Sequence, residues 1–251
     1  MASPWFVSGT VKNPEAGSRL FCFPFAAGSG YEFRTWGEQL DGVDLLGVFY
    51  PGRSSRFRTP FIDNMEEMVE SLLVELEPFQ DKPYAFFGHS LGALIAFELS
   101  RSLRRAGMAA PEFLCASSCD APHLLPTPPI LHNLSDADFV EEIRNFGGTP
   151  EAVLNHPELL ALMLPVMRAD LKLLETYQYQ EEAPLDIPVY AVGGSADNIV
   201  PTENILAWER HTTGRWESRF FEGGHFHLRE DTNNQLLPYL QTILEKEKLV
   251  D

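Results

Sequence analysis

Cysteine is scarce in this 251-residue chain, which has only Cys22, Cys115 and Cys119. So few cysteines, in an odd number, exclude a disulfide framework of the kind that holds small secreted domains together. Their Phe, Leu and Ala neighbours predict buried thiols instead. We therefore expect a cytoplasmic protein.

Long apolar runs are also missing. No stretch approaches the roughly 20 apolar residues of a membrane helix. The first 17 residues lack the basic start and apolar core of a secretion signal. We expect neither secretion nor a membrane partner.

Basic charge is the third deficit, because 19 Lys and Arg stand against 36 Asp and Glu, a formal net charge of -17. Nucleic-acid binding needs a concentrated basic surface, so that class is disfavoured. Arginines do cluster in one loop and at the end of a predicted helix, where cations also complement the helix dipole. The two clusters are Arg53, Arg56 and Arg58, and Arg101, Arg104 and Arg105.

The residues that are abundant predict a single α/β domain over 1–251. Hydrophobic residues make up 44%, enough for a large core. Nearly continuous apolar runs, typical of strands covered on both faces, alternate with helical patterns, which favours a mainly parallel sheet flanked by helices. The runs are RLFCFPF, VDLLGVFY, PYAFFGH, EFLCASSC, IPVYAVGG and WESRFFE, and the helical stretches are 63–79, 90–106, 202–212 and 231–247.

The alternation stops between about 122 and 184, where no strand pattern is evident. Helical patterns there predict an inserted helical lid. Pro165 should start, end or kink a helix, because proline removes a donor and clashes with the preceding turn.

A nucleophile-elbow pattern occupies the junction of the strand PYAFF and the helix that follows. Gly88-His89-Ser90-Leu91-Gly92 places a serine at the apex of a sharp turn, with glycines where a Cβ would clash. Ser90 is the predicted nucleophile, and a serine that only caps the helix is the alternative. We interpret His89 as a structural neighbour.

A serine hydroxyl needs a base, and the base needs an orienting group. His225 follows two glycines after the strand WESRFFE and is the predicted base, with His227 the alternative. Asp197, just beyond the strand IPVYAV, is the predicted acid unless it merely caps a turn, and Asp120 is the second choice. The other histidines are expected to be solvated: His123, His132, His156 and His211.

Acyl transfer also needs N–H donors for the developing oxyanion. The N–H of Leu91, directly after the nucleophile, should be one. The small residues after the first strand should supply the other, with Ala26 favoured and Ala27 the alternative.

These motifs together resemble the type II thioesterases of polyketide and nonribosomal peptide synthases, relatives of the medium-chain fatty-acid thioesterases. The matching segments span nearly the whole chain. They are CFPFAAGSG, YPGRSSRF, FFGHSLGALIAFELSRSLR, MRADLKLLETY, GGSADNIVP and FEGGHFHL. The chain departs from the family at Phe25, where histidine is common, and at Ala27, where glycine is usual.

The resemblance implies an α/β-hydrolase fold and hydrolysis of acyl groups on the phosphopantetheine arm of an acyl or peptidyl carrier protein in antibiotic biosynthesis. Stalled or misloaded chains would be released through an acyl-enzyme intermediate, without a metal or cofactor. Lid residues should partly line an acyl channel, unless they only pack the lid. They are Leu160, Met163, Leu164 and Met167, and Met163 and Met167 are the predicted substrate-binding residues among them.

Two other functions remain open at this point. The same triad could cleave oxygen esters, as in carboxylesterases and lipases, although the HGGG loop of many lipases is absent. A catalytically inactive α/β-hydrolase could serve as a binding protein, although such proteins generally lack a triad residue, and none is lacking here.

Overall fold

A seven-stranded sheet forms the centre of the computed structural model, which describes residues 3–9, 13, 15–230 and 235–250. The strand order is β1-β3-β2-β4-β5-β6-β7, with β1 antiparallel to β3 and all other neighbours parallel. The strands are β1 Phe6–Ser8, β2 Ser18–Phe23, β3 Val43–Val48, β4 Tyr84–His89, β5 Leu114–Ser117, β6 Val189–Gly194 and β7 Trp216–Phe221. The mainly parallel α/β sheet is confirmed.

Helices cover both faces of the sheet. They are α1 Met65–Leu76, α2 Leu91–Arg105, α3 Asp136–Phe146, α4 Glu151–Leu154, α5 Pro157–Glu175, α6 Thr202–Leu206, α7 His227–Glu230 and α8 Leu236–Lys246. The last predicted helix was expected from 231, but 231–234 lie outside the described residues.

Burial of both faces explains the continuous apolar strands. Every residue of β4 is buried, although a strand with one solvated face would alternate. Phe86 belongs to the same buried apolar cluster as Leu94 of α2, whereas Phe87 belongs to a second cluster that contains Leu240 of α8. The three cysteines are likewise buried free thiols, as predicted.

Strand β1 was not predicted. It has only three residues, and it pairs Phe6 with Val48 at the edge of the sheet. Three residues are too few to show a periodicity in the sequence. The strand forms because β3 would otherwise leave an unpaired edge of the sheet.

The segment between β5 and β6 contains α3, α4 and α5, and no β-strand lies within it. This agrees with the predicted helical insertion. Pro165 lies inside α5, so it neither starts nor ends a helix; Pro157 begins that helix instead. Proline suits the first turn, where the N–H has no partner in the helix.

The two arginine clusters are both structural to a large degree. Arg53 and Arg56 are each only 8% exposed, which excludes them from an open docking surface. Arg56 donates to the Phe49 carbonyl, and its guanidinium lies 3.7 Å from the centre of the Trp5 ring.

The cluster on α2 converges on one carboxylate. Arg101, Arg104 and Arg105 all form ion pairs with Glu182, at 2.8, 3.0 and 2.6 Å. These arginines therefore tie α2 to the chain that leads into β6.

Within the described residues, no helix is both long and apolar enough to cross a bilayer. The same residues contain no group of His, Cys, Asp and Glu side chains that could hold a metal ion.

Candidate active site

Ser90 stands between β4 and α2 with φ 53° and ψ -120°, a conformation that side-chain-bearing residues rarely adopt. Its side chain makes no capping hydrogen bond to the helix, so the cap alternative is wrong. The Ser90 N–H donates to the Ser117 carbonyl at 2.8 Å, which holds the turn against β5. The strained turn leaves the hydroxyl on the wall of a cavity.

The two glycines of the elbow are required by close backbone approaches. A Cβ on Gly88 would overlap the Gly92 carbonyl, and a Cβ on Gly92 would overlap the carbonyl of Phe23 at the end of β2. The absence of side chains thus lets the loop after β2 lie directly beside Ser90.

The structure brings together His225 and Asp197, the predicted base and acid. His225 Nδ1 lies 3.0 Å from Asp197 Oδ2, and both side chains are buried. Asp197 Oδ1 accepts the N–H groups of Ile199 and Val200 at 2.9 and 3.0 Å. Asp197 follows β6 and His225 follows β7, so both lie at the same sheet edge as Ser90.

The charge on Asp197 is held by these bonds. Burial by itself would raise the pKa of the Asp197 carboxyl, but the hydrogen bond and charge of His225 and the two backbone donors outweigh it. The net pKa is therefore below its ordinary value, and Asp197 is ionised at neutral pH. An ionised acceptor on Nδ1 fixes the proton there and leaves Nε2 free to take a proton.

The second-choice residues have other partners. Asp120 accepts hydrogen bonds from Asn204 at 2.7 Å and Thr127 at 3.2 Å, and burial raises its pKa. His227 is fully buried, with Nε2 3.1 Å from Ser117 Oγ, which also contacts Nδ1 of His89 at 2.9 Å. His89 and His227 thus belong to the packing beneath the site.

Two of the histidines expected to be solvated are not. His211 is 2% exposed, and its Nε2 lies 2.8 Å from His123 Nδ1. His132 contacts the Glu175 carboxylate. Sequence reasoning missed both because their partners lie 43 or more residues away along the chain.

The loop after β2 distinguishes the two alternative oxyanion donors. The Ala27 N–H donates to Asp170 Oδ2 at 2.7 Å and is therefore occupied. The Ala26 and Leu91 N–H groups have no acceptor in the described part of the chain. Ala26 also lines the cavity beside Ser90, so the geometry favours Ala26 over Ala27.

The cavity has a volume of about 480 Å³ and a mainly apolar wall. Met167, Leu171 and Leu174 of α5 contribute to this wall, together with the catalytic candidates Ser90 and His225. This volume is within the range of small-molecule binding sites in proteins.

The predicted lid residues divide between the cavity and the packing of the insertion. Met167 lines the cavity and is also a buried member of the apolar cluster around Phe139, whereas Met163 does not line the cavity. Met163 packs with Leu160 and Leu164 against the apolar cluster around Phe139. The two methionines are four residues apart, a little more than one helical turn. They therefore lie on the same face of α5 but at different positions along its axis.

Comparison with known proteins places this geometry among thioesterases. A family model described as a thioesterase domain matches residues 18–244. Thioesterase PikA5 of Streptomyces venezuelae is 41% identical over 219 residues, which cover 86% of this chain and 78% of that protein.

Two solved structures have the same fold and similar sequences. The RedJ thioesterase from the prodiginine biosynthetic pathway in Streptomyces coelicolor is 38% identical, with a TM-score of 0.85, over 94% of this chain and 90% of that chain. YbtT, a type II thioesterase from the yersiniabactin NRPS/PKS biosynthetic pathway, is 30% identical, with a TM-score of 0.85, over 96% of this chain and 97% of that chain.

Proposed function

This chain belongs to the thioesterase family, and we propose that it hydrolyses acyl thioesters on the phosphopantetheine arm of carrier proteins. The substrates would be stalled or misloaded chains on a polyketide or nonribosomal peptide synthase. The observation that carries the proposal is that Ser90 and His225 line one mainly apolar cavity, with His225 Nδ1 3.0 Å from the buried carboxylate of Asp197.

The first half of the reaction forms an acyl-enzyme. His225 Nε2 takes the Ser90 proton as Oγ attacks the thioester carbonyl, and Asp197 stabilises the imidazolium that results. The N–H groups of Ala26 and Leu91 stabilise the oxyanion. Collapse of the tetrahedral intermediate breaks the C–S bond, and the departing pantetheine thiol takes the proton from His225. A thiol has a pKa near 8.5 and leaves with less help from an acid than an alcohol needs.

The second half releases the product. His225 activates a water that attacks the acyl-Ser90 ester, and the same two N–H groups stabilise the second oxyanion. The apolar walls hold the acyl chain and limit the approach of other water.

The test uses a carrier protein whose phosphopantetheine is loaded with a panel of acyl groups. We expect release of free acid, with the matching oxygen ester cleaved more slowly. A protein that cleaves the oxygen ester faster would be an esterase, and one that cleaves neither would contradict the proposal.

Ser90→Ala should lower turnover by several orders of magnitude, because the attacking hydroxyl is lost. The midpoint of thermal unfolding should stay near that of wild type, since nothing else changes. Labelling by a fluorophosphonate should disappear with it. Ser102→Ala, at the far end of α2, is the matched control and should keep both activities. Retention of a tenth of wild-type turnover by folded Ser90→Ala would refute the mechanism.

A further inference from the structure

A buried carboxylate on α5 contacts the loop that carries the predicted oxyanion donor. Asp170 is fully buried, and it lies on the inward face of α5 with the apolar residues Val166, Met167 and Leu173. A charged residue among buried apolar ones has a high desolvation cost unless its oxygens are satisfied. Its partners therefore show what it is for.

Arg53 provides most of that compensation. Its two terminal nitrogens bind the two oxygens of Asp170, Nη2 to Oδ1 at 2.6 Å and Nη1 to Oδ2. A bidentate pair of this kind fixes the carboxylate plane as well as its position. Arg53 also donates to the Gly28 carbonyl at 3.4 Å, so the pair contacts the loop after β2 at two points.

The second contact is the Ala27 N–H, which donates to Asp170 Oδ2 at 2.7 Å. Ala27 has φ 62°, in the left-handed region that is unfavourable for a residue with a side chain. A compensating bond is expected for such a residue, and the Asp170 carboxylate supplies it.

These bonds determine the orientation of the donor next to Ala27. The peptide plane before Ala26 is held by the Gly28 N–H, which donates to the Phe25 carbonyl at 2.9 Å. The peptide plane after Ala26 is held by Asp170 through the Ala27 N–H. With both planes held, the Ala26 N–H keeps one direction and has no acceptor in the described part of the chain.

We propose that Asp170, held by Arg53, is a positioning residue that orients the Ala26 N–H for the oxyanion and links that donor to the helix lining the acyl cavity. The proposal rests on the function proposed above. Asp170 does not contact the reacting atoms; it acts through the Ala27 peptide. Because α5 also carries Met167, Leu171 and Leu174, a displacement of this helix by an ill-fitting acyl chain would disturb the donor as well.

The test compares two double variants that both remove the ion pair. Arg53→Met/Asp170→Leu removes the charges and every acceptor for the Ala27 N–H. Arg53→Met/Asp170→Asn removes the charges but keeps an amide oxygen as acceptor. Replacing both members avoids the unpaired buried charge that a single substitution would leave, and apolar replacement of a buried pair is often tolerated.

We expect the Leu variant to lose about 10- to 100-fold in kcat with little change in KM, because a misdirected donor weakens only the transition state. Affinity for a boronic acid with the same acyl chain, which forms a tetrahedral adduct on Ser90, should fall in parallel. The Asn variant should recover most of both losses.

The control is Asp63→Asn, which breaks the exposed 2.6 Å ion pair between Lys172 of α5 and the loop before α1. Its kcat should stay within about twofold of wild type, since exposed pairs contribute little. If the Leu variant does not fold, Arg53→Met/Asp170→Ser takes its place, because the shorter serine does not reach Ala27.

Unchanged kcat in the folded Leu or Ser variant would overturn the inference, as would equal losses in that variant and the Asn variant. Both outcomes are read as ratios to an active wild type. A wild type without thioesterase activity would instead refute the proposed function, so the two failures are distinguishable.

Discussion

Asp197 and Asp120 are two buried carboxylates at neighbouring strand ends, yet their surroundings shift their pKa values in opposite directions. Asp197 receives a histidine ring N–H and two backbone N–H groups, which lower its pKa. Asp120 has only neutral side-chain donors, and burial raises its pKa. At the residue scale, the identity of the donors therefore separates an orienting acid from a polar group in the cavity wall.

Asp197→Asn should lower kcat by about 10⁴-fold with the fold intact, because a neutral amide no longer holds the proton on His225 Nδ1. Steady-state hydrolysis of an acyl thioester measures it. Asp120→Asn is the matched comparison and should cost much less. A larger loss for Asp120→Asn than for Asp197→Asn would show that Asp120, and not Asp197, is the orienting acid.

Helix α5 reaches both the cavity and the apolar cluster of the insertion. Met167 belongs to that cluster and also lines the cavity, whereas Met163, one turn earlier, packs against the cluster without lining the cavity. We propose that the segment from about 122 to 184 is a lid that gates the cavity.

Met167→Trp should therefore shift the preferred acyl chain to a shorter length, since the indole occupies cavity volume. Hydrolysis rates across a series of acyl lengths measure the shift. Met163→Trp, with a similar increase in size outside the cavity, should leave the profile in place. Identical profiles for wild type and Met167→Trp would mean that Met167 only packs the lid.

The contact between His211 and the insertion predicts that the stability of the protein depends on pH. His211, in the turn after α6, is packed against the rings of Phe97, Trp208 and Tyr179 and lies beside His123. Burial lowers the pKa of His211 to about 3, and the nearby charges of His123, Arg210 and Arg101 act in the same direction.

The direction of this pH effect follows from the number of protons that the folded and unfolded states bind. Below the unfolded pKa of about 6.5, the unfolded chain binds a proton at this histidine, whereas the folded protein does not. The free energy of unfolding therefore decreases as the pH is lowered from about 6.5 to about 3. At pH 5 the loss should be on the order of 2 kcal/mol. Urea unfolding of wild type and His211→Gln at pH 7.5 and 5 measures it: the variant should lose less, and exposed His156→Gln should match wild type. Equal losses in wild type and His211→Gln would show that other groups control the pH dependence.

At the scale of the whole molecule, the net charge of -17 affects encounter with a carrier protein. Carrier proteins are acidic around the pantetheine serine, as the family resemblance implies, so long-range forces should be repulsive. Arg53 and Arg56 are buried and cannot offset that repulsion, which leaves the exposed Arg58 of the same loop and apolar contacts.

Raising salt from 0.01 to 0.15 M shortens the Debye length from ~30 to ~8 Å and should leave kcat/KM for a carrier-bound substrate level or higher. A small neutral acyl thioester is the control and should barely respond. A steep fall with the carrier substrate alone would mean that local cations dominate docking.

The sheet, the elbow and the order of the catalytic candidates can all be predicted from the amino-acid sequence. Continuous apolar runs report strands buried on both faces, and Gly88-His89-Ser90-Leu91-Gly92 reports a turn that needs glycine, so local chemistry is sufficient for both. Strand β1 escaped detection because its pairing depends on a vacant sheet edge and not on its own pattern.

Which of several plausible side chains meet depends on how the chain packs in three dimensions. His225 is joined to Asp197, the Ala27 N–H is bound by Asp170, and Arg53 is buried. The Asp170 contacts span 117 and 143 residues along the chain. Partners that far apart leave no periodic trace in either segment, because the distance between them is set by the packing of α5 onto the loop after β2.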